Sequence, residues 1–134
     1  MLYLASQSPR RKTLLRQLGR SYCVVRSTHR ETIRRRSTPS QNAIRNAKGK
    51  AQKAQLPPDA KGLVIGADTF LYFRGRVIGK PRTLRAARRL LHELSGQAHW
   101  VYTGLCLREL QSGRLHLSYA RSRVIFQRLT DESI

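Results

Sequence analysis

A short apolar run, Leu2 to Ala5, breaks directly into Ser6-Gln7-Ser8-Pro9-Arg10-Arg11, and this join constrains the fold more than any other feature of the chain. Four apolar residues bounded by a polar turn read as a buried strand. Ser8 suits a helix N-cap, Pro9 the first helical position and Gly19 the helix end, so a helix over 8–18 follows. A strand that passes through a loop into a helix is the opening of an α/β architecture. The start of such a helix presents unpaired N–H groups and a positive dipole end. Two arginines in its first turn oppose that dipole unless an anion compensates, so the string points to a phosphate-rich ligand.

A second string has the same character. The apolar run Leu63 to Ala67 reads as a buried strand and ends at Asp68-Thr69, which places a carboxylate at a strand end. Carboxylates are scarce here: 27 Lys and Arg stand against 7 Asp and Glu in 134 residues, a formal charge of +20. Such a balance favours polyanionic partners, with solvated arginine-rich faces as the plainer alternative. The length fits a single domain with a real core. No apolar stretch is long enough to span a bilayer, so the expectation is a cytoplasmic protein with no membrane partner. Cys23 and Cys106 lie in strand-like stretches without metal-ligand spacing and read as buried thiols.

Along the chain the pattern predicts strands at 2–5 and 22–26, with Leu14, Leu15 and Leu18 as the apolar face of the helix between them. A polar, arginine-rich loop runs from Ser27 to Thr38. A helix from Pro39 to about Gln55 follows, weak because Ala43, Ile44, Ala47, Ala51 and Ala54 offer small contacts and Gly49 costs about 1 kcal/mol relative to alanine. After Pro57-Pro58 come a strand at 62–67 and a hairpin, Phe70 to Phe73 and Val77 to Ile78, turning at Arg74-Gly75. Thr83 caps a third helix with Leu84, Ala87, Leu91 and Leu94 at helical spacing and Arg85, Arg88, Arg89 and His92 on its solvated side. Two long strands, 98–109 and 115–127, flank Gln111-Ser112-Gly113-Arg114. The class is α/β or α+β, a mixed twisted sheet flanked by helices in one domain over 1–134. Thr130-Asp131-Glu132 resembles the cap of another helix, and the chain reads as a domain whose C-terminal part is missing.

Among residues able to carry chemistry, Asp68 stands first. Glu31, amid His29, Arg30 and Arg34-Arg35-Arg36, reads either as a surface ion pair or as a ligand for a hard cation. Lys50 and Lys80 are candidate phosphate contacts, and Lys80 gains from the tight setting Gly79-Lys80-Pro81. The string lacks the glycine spacing of a Walker A loop. Ser95-Gly96 and Thr103-Gly104 mark turns or bulges with backbone roles. The histidines lack zinc spacing, neither cysteine has a nucleophile's context, and Trp100, Tyr102 and Tyr119 read first as packing.

These strings together resemble the Maf-type nucleoside triphosphate pyrophosphatases. The matching residues are Leu4-Ala5-Ser6-Gln7-Ser8-Pro9-Arg10-Arg11, Leu14-Leu15-Arg16-Gln17-Leu18-Gly19 and Ala47-Lys48-Gly49-Lys50-Ala51. Further on come Val64-Ile65-Gly66-Ala67-Asp68-Thr69, Gly79-Lys80-Pro81, Leu94-Ser95-Gly96-Gln97-Ala98-His99 and Val101-Tyr102-Thr103-Gly104. Val124-Ile125-Phe126 and Leu129-Thr130-Asp131-Glu132-Ser133-Ile134 resemble the family's run into its next helix. The resemblance implies a two-lobed fold with a cleft, like that of inosine triphosphatases, and hydrolysis of a nucleoside triphosphate to monophosphate and pyrophosphate with Mg²⁺ or Mn²⁺. It implies Asp68 as proton acceptor, Glu31 with Asp68 as metal ligands, Lys50 and Lys80 on phosphates, and Ser6, Arg10, Arg11 and Thr69 as substrate contacts. Arg11 with Thr69 resembles the subgroup acting on dTTP and UTP, and family members are often homodimers. Arg30 stands where an acidic residue often precedes the glutamate, and Asn46 at an apolar position, a change expected to loosen the second helix. The resemblance further implies that a segment recognising the base is absent. The alternative is an impaired, truncated paralogue that binds nucleotides or nucleic acid non-specifically through its basic surface.

Overall fold

The computed structural model describes residues 1–6 and 8–132; Gln7, Ser133 and Ile134 lie outside it. Its elements are β1 (Leu2–Ala5), α1 (Pro9–Gln17), β2 (Cys23–Val24), α2 (Pro39–Gln52), β3 (Leu63–Phe73), β4 (Arg76–Ile78), α3 (Leu84–Leu94), β5 (Ala98–Glu109) and β6 (Leu115–Ile125). One mixed sheet runs in the order β2-β1-β3-β5-β6, with β4 also paired to β3. β1 is parallel to both β2 and β3, and the other pairings are antiparallel.

β3 differs from its expected form. The sequence suggested a strand to Ala67 and a separate hairpin arm from Phe70, but β3 is one strand of 11 residues. Its partner explains this: β5 pairs with it from Leu63↔Glu109 to Tyr72↔Trp100, so the ladder carries the backbone through Asp68 and Thr69. The expected turn at Arg74-Gly75 is present, with φ of 51° and 75° at its two residues, as a two-residue hairpin requires. β2 is shorter than the expected 22–26. It pairs with Tyr3 and Leu4 at the sheet margin, which leaves Cys23 exposed, while Cys106 is buried as expected.

α2 is the best-anchored helix, contrary to its expected weakness. Thr38 and Gln41 form a reciprocal capping box, and Pro39 occupies the first turn. Ala43, Ala47 and Ala51 are fully buried against the sheet. Opposite them the sheet carries glycine: a Cβ on Gly66 would collide with the Ala47 carbonyl oxygen, and one on Gly104 with that of Ala43. Small residues on both sides let the helix backbone ride directly on β3 and β5, so close packing replaces large side chains.

α1 and α3 are held more lightly. Of the three leucines expected to form the apolar face of α1, only Leu15 is buried; Leu14 and Leu18 are 52% and 72% exposed. The Ser8 side chain makes no cap bond, although its N–H donates to Ser6 Oγ at 3.2 Å. Gly19, at φ 70°, ends the helix as expected. The Thr83 hydroxyl caps α3 by accepting from the Ala86 N–H, and Leu94 anchors that helix in the core. Thr130-Asp131-Glu132 begins no helix within the described residues, where Asp131 and Glu132 form a turn; the expected continuation at Ser133-Ile134 lies outside them. No described helix is long and apolar enough to cross a membrane.

Candidate active site

The sheet topology opens a notch. Along one edge of β3, pairing with β1 ends at Ala5↔Gly66 and pairing with β4 begins only at Leu71↔Ile78. The stretch 67–70 therefore faces a gap between β1 and β4, just beyond the C-terminal end of β1, where open α/β sheets bind ligands. Asp68 and Thr69 lie in this gap and Ser6 at its rim.

Residues from the basic loop, α1, α2, β5 and the end of β1 converge on it. Lys50 Nζ lies 2.6 Å from Glu31 Oε1 and 3.6 Å from Asp68 Oδ1, so one ammonium bridges two carboxylates. Asp68 is buried, whereas more than half of the Glu31 side chain is exposed. Arg11, half-buried, donates from Nη1 to Ser6 Oγ at 2.8 Å and from Nη2 to Thr69 Oγ1 at 2.9 Å. Thr69 Oγ1 in turn shares a hydrogen bond of 3.1 Å with Thr103 Oγ1, its register partner on β5. Beside Ser6 and Lys50 opens a cleft of about 560 Å³, further lined by Ala5, Val25, Arg26, Ser27 and His29. That volume is in the range of small-molecule sites.

Electrostatics differentiate the two carboxylates. Burial pushes the Asp68 carboxyl above its ordinary value, the charge of Glu31 pushes it further, and Lys50 only partly opposes them. Burial also acts to raise Glu31, but the hydrogen bond and charge of Lys50 outweigh it and leave Glu31 below its ordinary value. Arg11 is lowered by burial, against the opposing charges of Asp68 and Glu31. The two neighbouring carboxylates are thus shifted in opposite directions, Glu31 down and Asp68 up.

Sequence reasoning missed the residues that place Glu31. Asn46, expected to loosen α2, is fully buried and stitches the basic loop to the helix. Its Oδ1 accepts from the Thr32 N–H at 3.0 Å and from His29 Nε2 at 3.1 Å, and its Nδ2 donates to the Thr32 carbonyl at 2.9 Å. Glu31 sits between those two anchored residues. Asn42, one turn earlier, binds the N–H and carbonyl of Arg34 in the same way. Two asparagines one turn apart on an alanine-rich face were the available signal, because buried amides demand partners. Arg10 and Lys80, by contrast, are exposed and make no hydrogen bond or ion pair among the described residues.

Comparison with known proteins agrees with this architecture. The sequence profile described as Maf-like protein matches residues 1–134. The chain belongs to the Maf family. A relative from Syntrophus aciditrophicus, named dTTP/UTP pyrophosphatase, is 42% identical over 134 residues, which are 99% of this chain and 64% of that protein. One of the same name from Moorella thermoacetica is 40% identical over 99% of this chain and 68% of its own length. This Maf-family chain therefore spans about two thirds of the curated relatives it matches. The Staphylococcus aureus Ham1 protein superposes with a TM-score of 0.57 at 15% identity, covering 92% of this chain and 70% of that one, a likeness of fold alone.

A hard divalent cation fits the residues present in this Maf-family site. Mg²⁺ is commonly held by one or two carboxylates, with phosphate and water oxygens completing its shell, and Glu31 and Asp68 offer that donor set. No group of three or more His, Cys, Asp or Glu suited to a metal occurs among the described residues.

Proposed function

We propose that this chain hydrolyses a nucleoside triphosphate of the dTTP/UTP class to the monophosphate and pyrophosphate. The observation that carries the reading is the buried, proton-attracting Asp68 held within 3.6 Å of Lys50 in a notch that also presents Arg11. A water oxygen bonds to the α-phosphorus, the bond from that phosphorus to the α–β bridging oxygen breaks, and pyrophosphate departs with the electron pair. Asp68 takes the proton from the attacking water. A carboxylate whose pKa lies above its ordinary value is better matched to this work near neutral pH.

Lys50 and Arg11 supply fixed positive charge where phosphate charge develops. Arg10 and Lys80, exposed and without an ion pair among the described residues, are the further cations available to a bound triphosphate. Ser6 and Thr69 hold the Arg11 fork in place. Glu31 and Asp68 would hold Mg²⁺ or Mn²⁺, which supplies charge neutralisation and a more acidic water when bound. The dTTP/UTP assignment rests on the names of the relatives together with the Arg11–Thr69 pair.

The test is pyrophosphate release from dTTP, UTP and GTP with Mg²⁺ or Mn²⁺, for the parent chain and Asp68→Asn. The expected result is metal-dependent release from the pyrimidine nucleotides, reduced about 10²- to 10⁴-fold in the variant. A folded Asp68→Asn protein working at the parent's rate would remove the proposed base.

A further inference from the structure

The basic loop and α2 carry a cationic surface that begins at the candidate active site and extends well beyond it. Three clefts adjoin along it. The first, beside Ser6 and Lys50, is also lined by Arg26 and His29. His29 belongs as well to a middle cleft of about 670 Å³ with Arg30, Arg34, Arg45, Lys48 and Lys53. Arg34 in turn belongs to a far cleft of about 550 Å³ with Arg35 and Arg76. No Asp or Glu lines any of the three. Apart from Lys50, none of these lysines and arginines forms an ion pair among the described residues.

Hydrogen bonds hold the array in place, and its cations crowd one another. Asn42 and Asn46 pin the loop backbone at Thr32 and Arg34. Arg45 is tied to Ser37 Oγ and the Thr32 carbonyl. Burial lowers the Arg45 pKa, and the neighbouring charge of Arg34 lowers it further, so these cations repel one another and an anion between them relieves that cost. A loop ordered beforehand also spares a ligand the entropy of organising it. The far cleft adds an apolar lining of Ile33, Tyr72 and Val77, where the half-buried Tyr72 ring packs edge-on to Tyr102 at 5.9 Å and also borders the cleft.

We propose that these clefts form one track for the phosphate backbone of a single-stranded nucleic acid, with Tyr72 as the base-stacking position at its far end. A row of unneutralised cations follows a backbone without reading its sequence, and an aromatic face accepts any splayed base. A duplex keeps its bases stacked inside and cannot use Tyr72.

The test is fluorescence anisotropy of a labelled oligouridylate of about 15 nucleotides, long enough for a single-strand site, titrated over a range of salt. Arg30, Arg35 and Lys53 are exposed and lie outside the candidate catalytic site, so a triple glutamine variant at these positions is informative once circular dichroism shows it folded. The expected result is a linear fall of log affinity with log salt, whose slope shrinks by about 2 in the triple variant, with affinity at least about tenfold weaker. Glutamines at Arg85, Arg88 and Arg89 on the exposed face of α3 serve as the control. An equal loss in that control assigns binding to diffuse net charge and overturns the proposal. Absence of binding by the parent chain, or equal affinity for a duplex of the same length, overturns it too. The measurement involves no turnover, so its outcome is separate from that of the Asp68 test.

Discussion

At the scale of single residues, Asn46 reaches neither substrate nor metal in the proposed mechanism, yet its bonds to His29 and Thr32 determine where Glu31 stands. Its Oδ1 can only accept, so His29 donates from Nε2, which leaves His29 Nδ1 buried over Gly49 without a hydrogen-bond partner among the described residues. Asn46→Ala strips partners from the part-buried N–H and carbonyl of Thr32. It should cost about 1–3 kcal/mol in chemical denaturation, and about 10-fold or more in divalent-cation affinity if Glu31 is a ligand. The carboxylate pair makes a second prediction, for the metal-free protein. Asp68 lies above its ordinary value, so the folded chain grips that proton more tightly than the unfolded chain. The associated stability is present at low pH and is lost as pH rises through the raised pKa. Glu31→Gln removes the neighbouring like charge, so the carboxyl titration of Asp68 followed by NMR should shift to lower pH. An unmoved or raised midpoint would contradict the coupling.

Among the elements, α2 matters most, because it bears Lys50, Asn46 and Asn42 and lies flat on the sheet. That closeness depends on glycine at two strand positions. At Gly104 the colliding atoms are Ala43 backbone rather than the end of a flexible side chain, so the helix itself would have to move. Gly104→Ala should therefore destabilise by about 1–3 kcal/mol, read as a lower urea midpoint with an unchanged slope. Lifting α2 would also carry Lys50 away from Asp68. The start of α2 was visible in advance, since Pro39 marks it in the sequence, but its Thr38–Gln41 capping box was not. Its anchoring was not, because a row of alanines appears feeble until glycines on distant strands are placed opposite it. α1 shows the reverse error: its leucines have helical spacing, but the sheet beneath engages only Leu15.

Over the whole molecule, the site is a consequence of sheet order. β1 and β4 share one edge of β3 without meeting, and the gap between them exposes Asp68 and Thr69 while β5 holds the opposite edge throughout. The formal charge of +20 is likewise organised: the basic loop folds against α2, and the cleft between them is lined by Arg and Lys with no Asp or Glu among the described residues. Taken alone, the sequence determined what short-range chemistry encodes. Pro9 and Gly19 bound the first helix, Arg74-Gly75 makes the hairpin, and the α/β class and family are carried by contiguous strings. Asp68, Lys50, Glu31, Ser6, Arg11 and Thr69 were recognisable as candidates in the same way. Only the tertiary structure decided that Lys50 bridges Glu31 and Asp68, that Thr103 supports Thr69, and that Asn46 and Asn42 hold the loop. The physical reason is distance along the chain: these contacts join segments that meet only when the sheet assembles, and a buried amide's partners cannot be identified until its surroundings exist.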